Sequence, residues 1–336
     1  MRIGFTYDLK SDYLRMGFSE EDSAEFDRED TISSIEEQLD ALGHETDRIG
    51  NVFELVKRLA DGDRWDLVFN IAEGVHGLGR EAQVPALLDA YRIPYTFSDP
   101  LVLCASLHKP TAKCIAQSLG VPTPAFRVVS STSEAAEVSL EFPVFAKPVA
   151  EGTSKGIGEH SLVRARDDLV EVCSRLLTRF AQPVLVERYL PGREFTVGIV
   201  GTGEDARAAG VLEFSLRHDT ADTVYTYTTK ENCEELVDYW LADDSQAKDA
   251  VDIALAVWQG FGCRDAGRVD LRTDENGTVN FVELNPLAGL HPTHSDLPII
   301  WSKAGREFGQ LIREIVESAA ARVCGHSQVT VNGGIA

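Results

Sequence analysis

The apolar residues in the first part of the chain alternate between strand-like runs and helix-like spacing. Apolar runs predict strands at residues 2–7, 66–71 and 93–97, and apolar residues three and four apart predict helices at 32–42 and 83–91. Residues 8–30, between the first strand and the first helix, are acidic and have no period. Alternation of strands with helices predicts a parallel α/β unit whose functional residues follow the strands.

Strand patterns become more frequent in the rest of the chain. After a helix at 109–119, strands are predicted at 126–129, 142–148, 183–189, 194–200 and 208–214, and helices at 167–180, 246–261 and 300–323. Residues 327–336 have no pattern and are expected to be a disordered end. The predicted fold class is therefore α/β in the first part and α+β in the later parts.

The clearest period of two surrounds the dipeptide Asn276-Gly277, which is typical of a hairpin turn. Polar and apolar residues alternate over 268–272 before the dipeptide and over 279–285 after it. Two antiparallel strands joined by a tight turn are therefore expected here.

Charged and amide side chains share faces of these two strands. A period of two places Arg268 and Asp270 on one face of the first strand, and likewise Glu283 and Asn285 on one face of the second. If the two faces coincide, they form an all-oxygen site of the kind that Mg²⁺ takes, with positions open for water and phosphate. The alternative is a solvated face with cross-strand charge pairs. Residues 285–295 favour the magnesium site, because glycine, proline and hydroxyl residues suit a loop that approaches a ligand.

A glycine-rich segment follows the strand that ends at Lys147. Residues 148–158 contain three glycines and two hydroxyl residues, so their backbone N–H groups can surround a phosphate while the lysine supplies charge. A flexible surface loop of similar composition is the alternative. The spacing matches neither the P-loop nor the dinucleotide-binding pattern, which disfavours those two nucleotide folds.

Other polar residues have both a functional and an ordinary interpretation. Glu187 ends a strand at an expected domain junction and is either a nucleotide-reading carboxylate or an exposed glutamate. Lys230 follows an extended run of tyrosine and threonine and is either a phosphate ligand or a solvated lysine. His291 and His294 have poor spacing for zinc and are interpreted as polar loop residues near substrate.

Composition narrows the classes of partner. At 336 residues the chain suggests two or three small domains, and 43% hydrophobic with 26% charged residues is typical of a globular protein. A net charge of −22 disfavours nucleic acid and acidic membranes as partners. Six scattered cysteines indicate neither a zinc site nor a disulfide framework. The chain opens on a strand pattern without a leader and has no bilayer-spanning run, so a cytoplasmic protein is expected.

Taken in order, these segments resemble the ATP-grasp superfamily and, within it, the D-alanine–D-alanine ligases. The resemblance covers nearly the whole chain and rests on IAEGVHGLGREAQVPALLDAYRIPYTFSDP, the helix at Lys109, FAKPVAEGTSKGIG, LVERYLPGREFTVGIV, YTYTTK and DAGRVDLR with VNFVELNPLAGLHPTHSDLP. The ordered set is specific although no single piece is. It implies a three-domain ATP-grasp fold: an N-terminal parallel α/β pre-ATP-grasp domain at 1–105, a central subdomain with the glycine-rich lid loop at 106–187, a C-terminal subdomain with the magnesium site at 188–326, and a flexible tail at 327–336.

The resemblance implies a binding site for ATP and Mg²⁺. Its nucleotide residues would be Lys109 and Lys147 on the phosphates, Glu187, Tyr189 and Leu190 around adenine, Glu194 on the ribose, and Glu151, Gly152 and Ser154 in the loop that closes over the triphosphate. Two Mg²⁺ ions, with Mn²⁺ as an alternative, would be held by Asp270, Glu283 and Asn285.

The resemblance also implies residues for catalysis and substrate binding. Lys230 would contact the transferring phosphate, and Arg268 with the backbone at Gly289 would stabilise the oxyanion; Thr153 stands where the family has a loop serine. Ser295 would bind the carboxylate of the second substrate, and Asp27 and Glu73 would lie at the first substrate.

The departures from the family's pattern concern the first substrate. The family's S-x-E-x-x-V-S glutamate has Asp27 as its nearest match, beyond an insertion, and Glu73 stands in place of a histidine. Glu231 replaces the tyrosine that follows the Lys230 position. Extra carboxylates favour a more cationic or larger amino substrate than D-alanine, whereas conservative replacement would preserve the same pocket.

The expected function is therefore an ATP-dependent ligase that joins two amino acids through an acyl phosphate, with small-molecule amino acids as its partners. Three alternatives remain: a ligase for a different amino acid or peptide, a nucleotide-binding homologue without catalysis, and a different ATP-grasp reaction. Retention of Arg268 and Lys230 disfavours the non-catalytic homologue. The resemblance also allows a homodimer, since related ligases are commonly dimers.

Overall fold

A parallel sheet and two antiparallel sheets organise the residues that the computed structural model describes, which are 1–216 and 237–326. The predicted phosphate ligand Lys230, the substituted Glu231, the tyrosine–threonine run before them and the C-terminal end at 327–336 lie outside the described residues. The mixture of a parallel N-terminal sheet with later antiparallel sheets confirms the predicted α/β and α+β fold class.

The N-terminal sheet has the order β2-β1-β3, with all strands parallel. Its elements are β1 (Arg2–Thr6), α1 (Lys10–Arg15), α2 (Glu29–Ala41), β2 (Glu45–Gly50), α3 (Val52–Ala60), β3 (Leu67–Asn70) and α4 (Gln83–Ala90). Alternate residues of β1 and β3 pack against α2 on one face, and the other face packs against α3 and α4. Such two-sided cover explains why these strands are apolar without alternation.

Several expectations for this region are wrong. Residues 93–97 form only an isolated bridge from Tyr95 to Val68, and Phe97 then adopts a left-handed φ of +68° that ends the extension. Helix α1 occurs inside the stretch expected to have no structure. Strand β2 was not predicted, because its polar sequence ETDRIG is largely solvent-accessible at the sheet edge.

A four-stranded antiparallel sheet with the order β4-β7-β5-β6 follows two helices. The elements are α5 (Pro100–Leu107), α6 (Lys109–Ser118), β4 (Phe126–Val129), α7 (Thr132–Ala136), β5 (Val144–Pro148), β6 (Leu162–Val163), α8 (Arg166–Phe180) and β7 (Val184–Arg188). Helix α8 buries Leu169, Val172 and Leu176 against this sheet. The glycine-rich loop leaves the end of β5, as predicted.

The third sheet has the order β10-β9-β8-β11-β12 and is antiparallel. Its elements are β8 (Glu194–Val200), β9 (Arg207–Leu216), β10 (Val237–Leu241), α9 (Ser245–Phe261), β11 (Ala266–Thr273), β12 (Val279–Asn285), α10 (Asp296–Lys303) and α11 (Phe308–His326). Helices α9 and α6 cover one face, and α10 and α11 cover the other. The single helix expected at 300–323 is wrong, because Gly305 has φ +77° and separates α10 from α11.

The predicted hairpin is confirmed and has the register that the alternation required. Strand β11 pairs Arg268 with Asn285 and Asp270 with Glu283 across β12. The register shifts between Asp270 and Leu271, as at a β-bulge. The division of the chain into domains that end at residues 105, 187 and 326 stays a prediction. Within the described residues, no helix is both long and apolar enough to cross a bilayer.

Candidate functional site

Two adjoining cavities contain the predicted site residues that the structure describes. The first cavity lies between the two antiparallel sheets and is lined by Lys109, Lys147, Glu151, Gly152, Thr153, Ser154, Glu187, Tyr189, Leu190, Glu194, Arg268, Asp270, Glu283 and Asn285. The second lies against the N-terminal region, and its lining includes Asp27, Glu73, Thr153, Arg268, Glu283, Asn285, Gly289, His291, His294 and Ser295. The hairpin forms part of the wall that both cavities share.

The polar side chains of the hairpin converge on one face. Asp270 is ion-paired with Arg268, and its carboxylate accepts hydrogen bonds from Asn285 Nδ2 at 3.0 Å and from Thr196 Oγ1 at 2.9 Å. Glu283, directly across the strand pair, contacts Lys109 Nζ at 2.6 Å. The predicted coincidence of the two faces is therefore confirmed.

The two hairpin carboxylates have opposite electrostatic surroundings. Burial raises the pKa of Asp270; Arg268 opposes this effect, and the charges of Glu283 and Asp296 add to it. Burial also raises the pKa of Glu283, but Lys109 and Lys147 outweigh burial and leave it below its ordinary value. Asp270 therefore lies in excess negative charge, which a bound cation would offset.

The donor set fits Mg²⁺ better than a metal that needs many protein ligands. Two carboxylates and one amide oxygen supply hard oxygen donors, and the remaining positions suit phosphate oxygens and water. No cluster of three or more histidine, cysteine, aspartate or glutamate side chains suited to a metal ion occurs in residues 1–216 and 237–326. These donors therefore suit a metal ion that also binds nucleotide phosphates better than an ion held by protein ligands alone.

A buried ion-pair triad orients the lysine that was predicted to contact phosphate. Glu187 lies between Lys147 Nζ, at 2.8 Å, and Lys113 Nζ, at 2.7 Å. Burial acts to raise the pKa of Glu187, but the two ammonium groups lower it to about 2. The carboxylate is thus engaged by lysines, a role that sequence reasoning did not assign to it. Lys113 was missed altogether, although it lies one helical turn after Lys109 on α6.

The end of the first cavity at Tyr189 is aromatic and charged. The guanidinium of Arg272 lies 5.2 Å from the ring centroid of Tyr189, and Arg272 also pairs with Glu194 at 3.1 Å. Burial raises the pKa of Glu194, and Arg272 opposes this effect. An aromatic face beside a carboxylate offers stacking for a base and a hydrogen-bond acceptor for ribose hydroxyls.

The glycine-rich loop is tied to the N-terminal region by a group that we call the Glu25 cluster, consisting of Glu25, Arg80 and Lys155. Both carboxylate oxygens of Glu25 lie 3.0 Å from Arg80 Nη2, and Lys155 Nζ lies at 3.4 Å. Glu25 also accepts a hydrogen bond of 2.7 Å from the backbone N–H of Gly152. Thr153 and Ser154 follow with left-handed φ of +47° and +55°. The loop is therefore closed over the cavities by contacts between distant parts of the chain.

Replacing Glu25 by glutamine is expected to loosen this loop. Glutamine lacks the charge that holds Arg80 and Lys155, so the Michaelis constant for ATP should rise about tenfold. ADP release without a condensed product should also increase, because a loosened loop no longer excludes water. Steady-state kinetics with product mass analysis measures both effects. The matched control is Glu20→Gln, whose carboxylate is 72% exposed and, within residues 1–216 and 237–326, pairs only with Lys10. Unchanged coupling in Glu25→Gln would contradict the role of the cluster.

The second cavity has a polar end beside Gly289 and an acidic end beside Asp27. Ser295 Oγ accepts a hydrogen bond of 2.9 Å from the His291 backbone N–H, and a Cβ atom at Gly289 would approach Ser295 Oγ to 2.8 Å. At the other end, burial raises the pKa of Asp27 to about 8, with the charges of Asp8 and Asp30 adding to it. Burial and neighbouring carboxylates also raise the pKa of Glu73.

Comparison with known proteins agrees with this geometry. A family model described as D-ala D-ala ligase C-terminus matches residues 115–317. Protein y4sG of Sinorhizobium fredii is 33% identical over 77% of this chain and 76% of its own length. The D-alanine–D-alanine ligase of Xylella fastidiosa is 32% identical over 84% of this chain and 91% of its own length.

Solved structures match the fold over almost the whole chain. The crystal structure of D-alanine–D-alanine ligase from Bacillus anthracis complexed with ATP has a TM-score of 0.71, covers 97% of this chain and 99% of its own, and is 20% identical. At that identity the likeness concerns the fold, and the ATP-grasp architecture expected from the sequence is confirmed.

Proposed function

Because the chain belongs to the D-alanine–D-alanine ligase family, we propose that it is an ATP- and Mg²⁺-dependent ligase that joins the carboxylate of one amino acid to the amine of another. The observation that carries the proposal is the wall between the two cavities. Arg268, Glu283 and Asn285 line both cavities, so a nucleotide in one and an amino acid in the other would meet at these side chains.

The chain's cations would position the nucleotide and offset its charge. Lys109 and Lys147 line the first cavity and would contact the phosphates, while Tyr189, Leu190 and Glu194 would hold the nucleoside. Asp270, Glu283 and Asn285 would bind Mg²⁺, which when bound supplies positive charge to the phosphoryl group in transfer. Lys109 would exchange its contact with Glu283 for a phosphate contact as the metal charge arrives.

The second cavity would hold the amino acids. The carboxylate of the first would lie at the shared wall, where its phosphorylation yields an acyl phosphate and ADP. The amine of the second then attacks the acyl carbon, and a C–N bond forms. The acyl C–O bond breaks, phosphate leaves with its electron pair, and the proton lost from the amine is taken up by the released phosphate. Arg268 and the backbone at Gly289 would stabilise the tetrahedral oxyanion, and Ser295 would bind the second carboxylate.

The glycine-rich loop would protect the acyl phosphate. Gly152 and Thr153 line both cavities, so the loop covers the point where the acyl group and the nucleotide meet. Closure would exclude water and prevent hydrolysis of the intermediate.

We further propose the domain division at 1–105, 106–187 and 188–326, with the loop in the central part. A homodimer stays a prediction.

An ADP-release assay tests the proposed function. The full chain is incubated with ATP, Mg²⁺ and separate pools of D- and L-amino acids, and ADP, phosphate and product mass are followed. We expect ADP release that depends on both an amino acid and Mg²⁺, and a product lighter than the two amino acids together by one water. Tight ATP binding without ADP release in any pool would favour the non-catalytic homologue, and ADP release that depends on no amino acid would count against the ligase.

A further inference from the structure

The acidic end of the second cavity has more negative charge than its surroundings offset. Asp27, Glu73 and Glu81 all line this cavity. Across the described ranges 1–216 and 237–326, none of these three carboxylates makes a hydrogen bond or an ion pair. The three side chains are half-buried and line one cavity, and carboxylates in such a place normally have a paired cation or hydrogen-bond donors, so three without either indicate a place for a cationic ligand.

The cations nearest this end of the cavity already have carboxylate partners. Arg80 and Lys155 are held by Glu25, and Lys155 also pairs with Glu151 at 2.9 Å. Arg28, the basic residue on the cavity's N-terminal side, pairs with Asp30 at 2.5 Å. The charges of Arg80 and Lys109 oppose the raised pKa of Glu81 from a distance, but among the described residues neither cation forms an ion pair with the three acids, so a cationic ligand would supply that contact.

A buried hydroxyl independently indicates that a polar ligand occupies this cavity. Thr31 is only 2% exposed and lines the same cavity at the start of α2. Its backbone N–H is bonded, but among the residues that the structure describes its hydroxyl has no hydrogen-bond partner. The residue is almost wholly buried and lines the cavity, so its hydroxyl is available to bond to a polar group that enters the cavity.

We propose that the first amino acid of the ligase reaction is a diamino carboxylic acid, with a side-chain ammonium in addition to its α-ammonium. This inference rests on the proposed function and names the substrate class of the same site. The carboxylate of the substrate would lie at Arg268, and its two ammonium groups would lie among Asp27, Glu73 and Glu81. A single α-ammonium would leave two of the three carboxylates without a counter-charge.

The electrostatics of the acids agree with this assignment. Burial raises the pKa of Glu81 to about 8, and the opposing charge of Arg80 does not compensate for burial and for the nearby Glu25. The pKa of Glu73 rises through burial and through the charges of Glu81 and Glu25. Two ammonium groups would restore the ionised form of these acids and gain two charge-assisted contacts.

A substrate panel on the unmodified protein tests the proposal. Every assay contains ATP and Mg²⁺, with D-alanine as the second substrate. As first substrate, 2,3-diaminopropionate is compared with 2-aminobutyrate, and 2,4-diaminobutyrate with norvaline, each in D and L form, and kcat/KM is measured. Each pair differs by one ammonium in place of one methyl group. At least one diamino acid is expected to exceed its partner by about tenfold or more, since one additional ion pair in a desolvated site is worth at least that factor.

Charge-removing variants locate the effect. Glu73→Gln and Glu81→Gln should each lower the ratio of kcat/KM between the diamino acid and its methyl partner, while the exposed Glu37→Gln on α2 should leave the ratio unchanged. If kcat/KM for the methyl compound equals or exceeds that for the diamino acid in every pair, the proposed substrate class is overturned. ADP release that depends on an amino acid would in that case still support the ligase. Absence of ADP release with every amino acid would overturn both.

Discussion

Replacing Glu283 by glutamine, or Asp270 by asparagine, is expected to lower kcat by roughly a thousandfold or more while weak ATP binding persists. Each change keeps the size of the side chain and removes one of the two negative charges that face each other across β11 and β12. Without that charge the metal site loses affinity, and Lys109 in the Glu283 variant loses its 2.6 Å partner.

The measurement is ADP release as a function of Mg²⁺ concentration, together with nucleotide binding followed by calorimetry. A rightward shift of the Mg²⁺ dependence is expected in both variants. Glu275→Gln lies in the turn of the same hairpin, and in the part of the chain that the structure describes its carboxylate pairs only with Arg188. It is the matched control and should retain its turnover. Turnover near that of the unmodified protein in either site variant would remove the metal assignment.

Replacing Glu187 by glutamine is expected to destabilise the protein by about 3–5 kcal/mol, because it leaves buried ammonium groups without their shared counter-charge. Lys113 is fully buried and Lys147 is 4% exposed, so water cannot replace the lost carboxylate. The same change frees Lys147 from its 2.8 Å contact, and the affinity for ATP should fall at least about tenfold.

Urea unfolding and ATP titration measure these two effects separately. The exposed Glu137→Gln, beside the same four-stranded sheet, should be neutral in both. Adding Lys113→Met to the Glu187→Gln variant should recover part of the stability, since it removes one of the two unpaired charges, but should not restore ATP affinity. No loss of stability in Glu187→Gln would show that the triad does not need its carboxylate.

The parts of the site that the sequence predicted are those governed by local periodicity. Alternation around Asn276-Gly277 predicted the two strands and the polar face of each, but Asp270 lies opposite Glu283 only because the register shifts between Asp270 and Leu271, which the alternation did not predict. The separation of α10 from α11 at Gly305 also had a local signal, because a glycine with a positive φ can end a helix. It was not predicted, because apolar residues at helical spacing continue on both sides of Gly305.

The parts that the sequence did not predict depend on contacts between distant residues. Glu25 meets Arg80 and the loop at Gly152 from positions far apart in the chain, and no local spacing encodes that meeting. Glu187 was predicted to lie at the nucleotide, but its pairing with Lys113 and Lys147 was not, and Lys113 itself was missed, because only burial distinguishes these residues from exposed charges. Glu81 likewise became informative only once it lined the same cavity as Glu73.

The shared wall between the cavities has a thermodynamic consequence. Residues of the hairpin and of the glycine-rich loop, together with Asp296, line both cavities, so a ligand in either one changes the charge and position of groups that the other must bind. Affinities for nucleotide and for amino acid are therefore linked, and the factor by which the first ligand alters binding of the second must equal the factor for the reverse order. Heterotropic cooperativity between nucleotide and amino acid is therefore expected to arise at this shared wall and would require no second subunit.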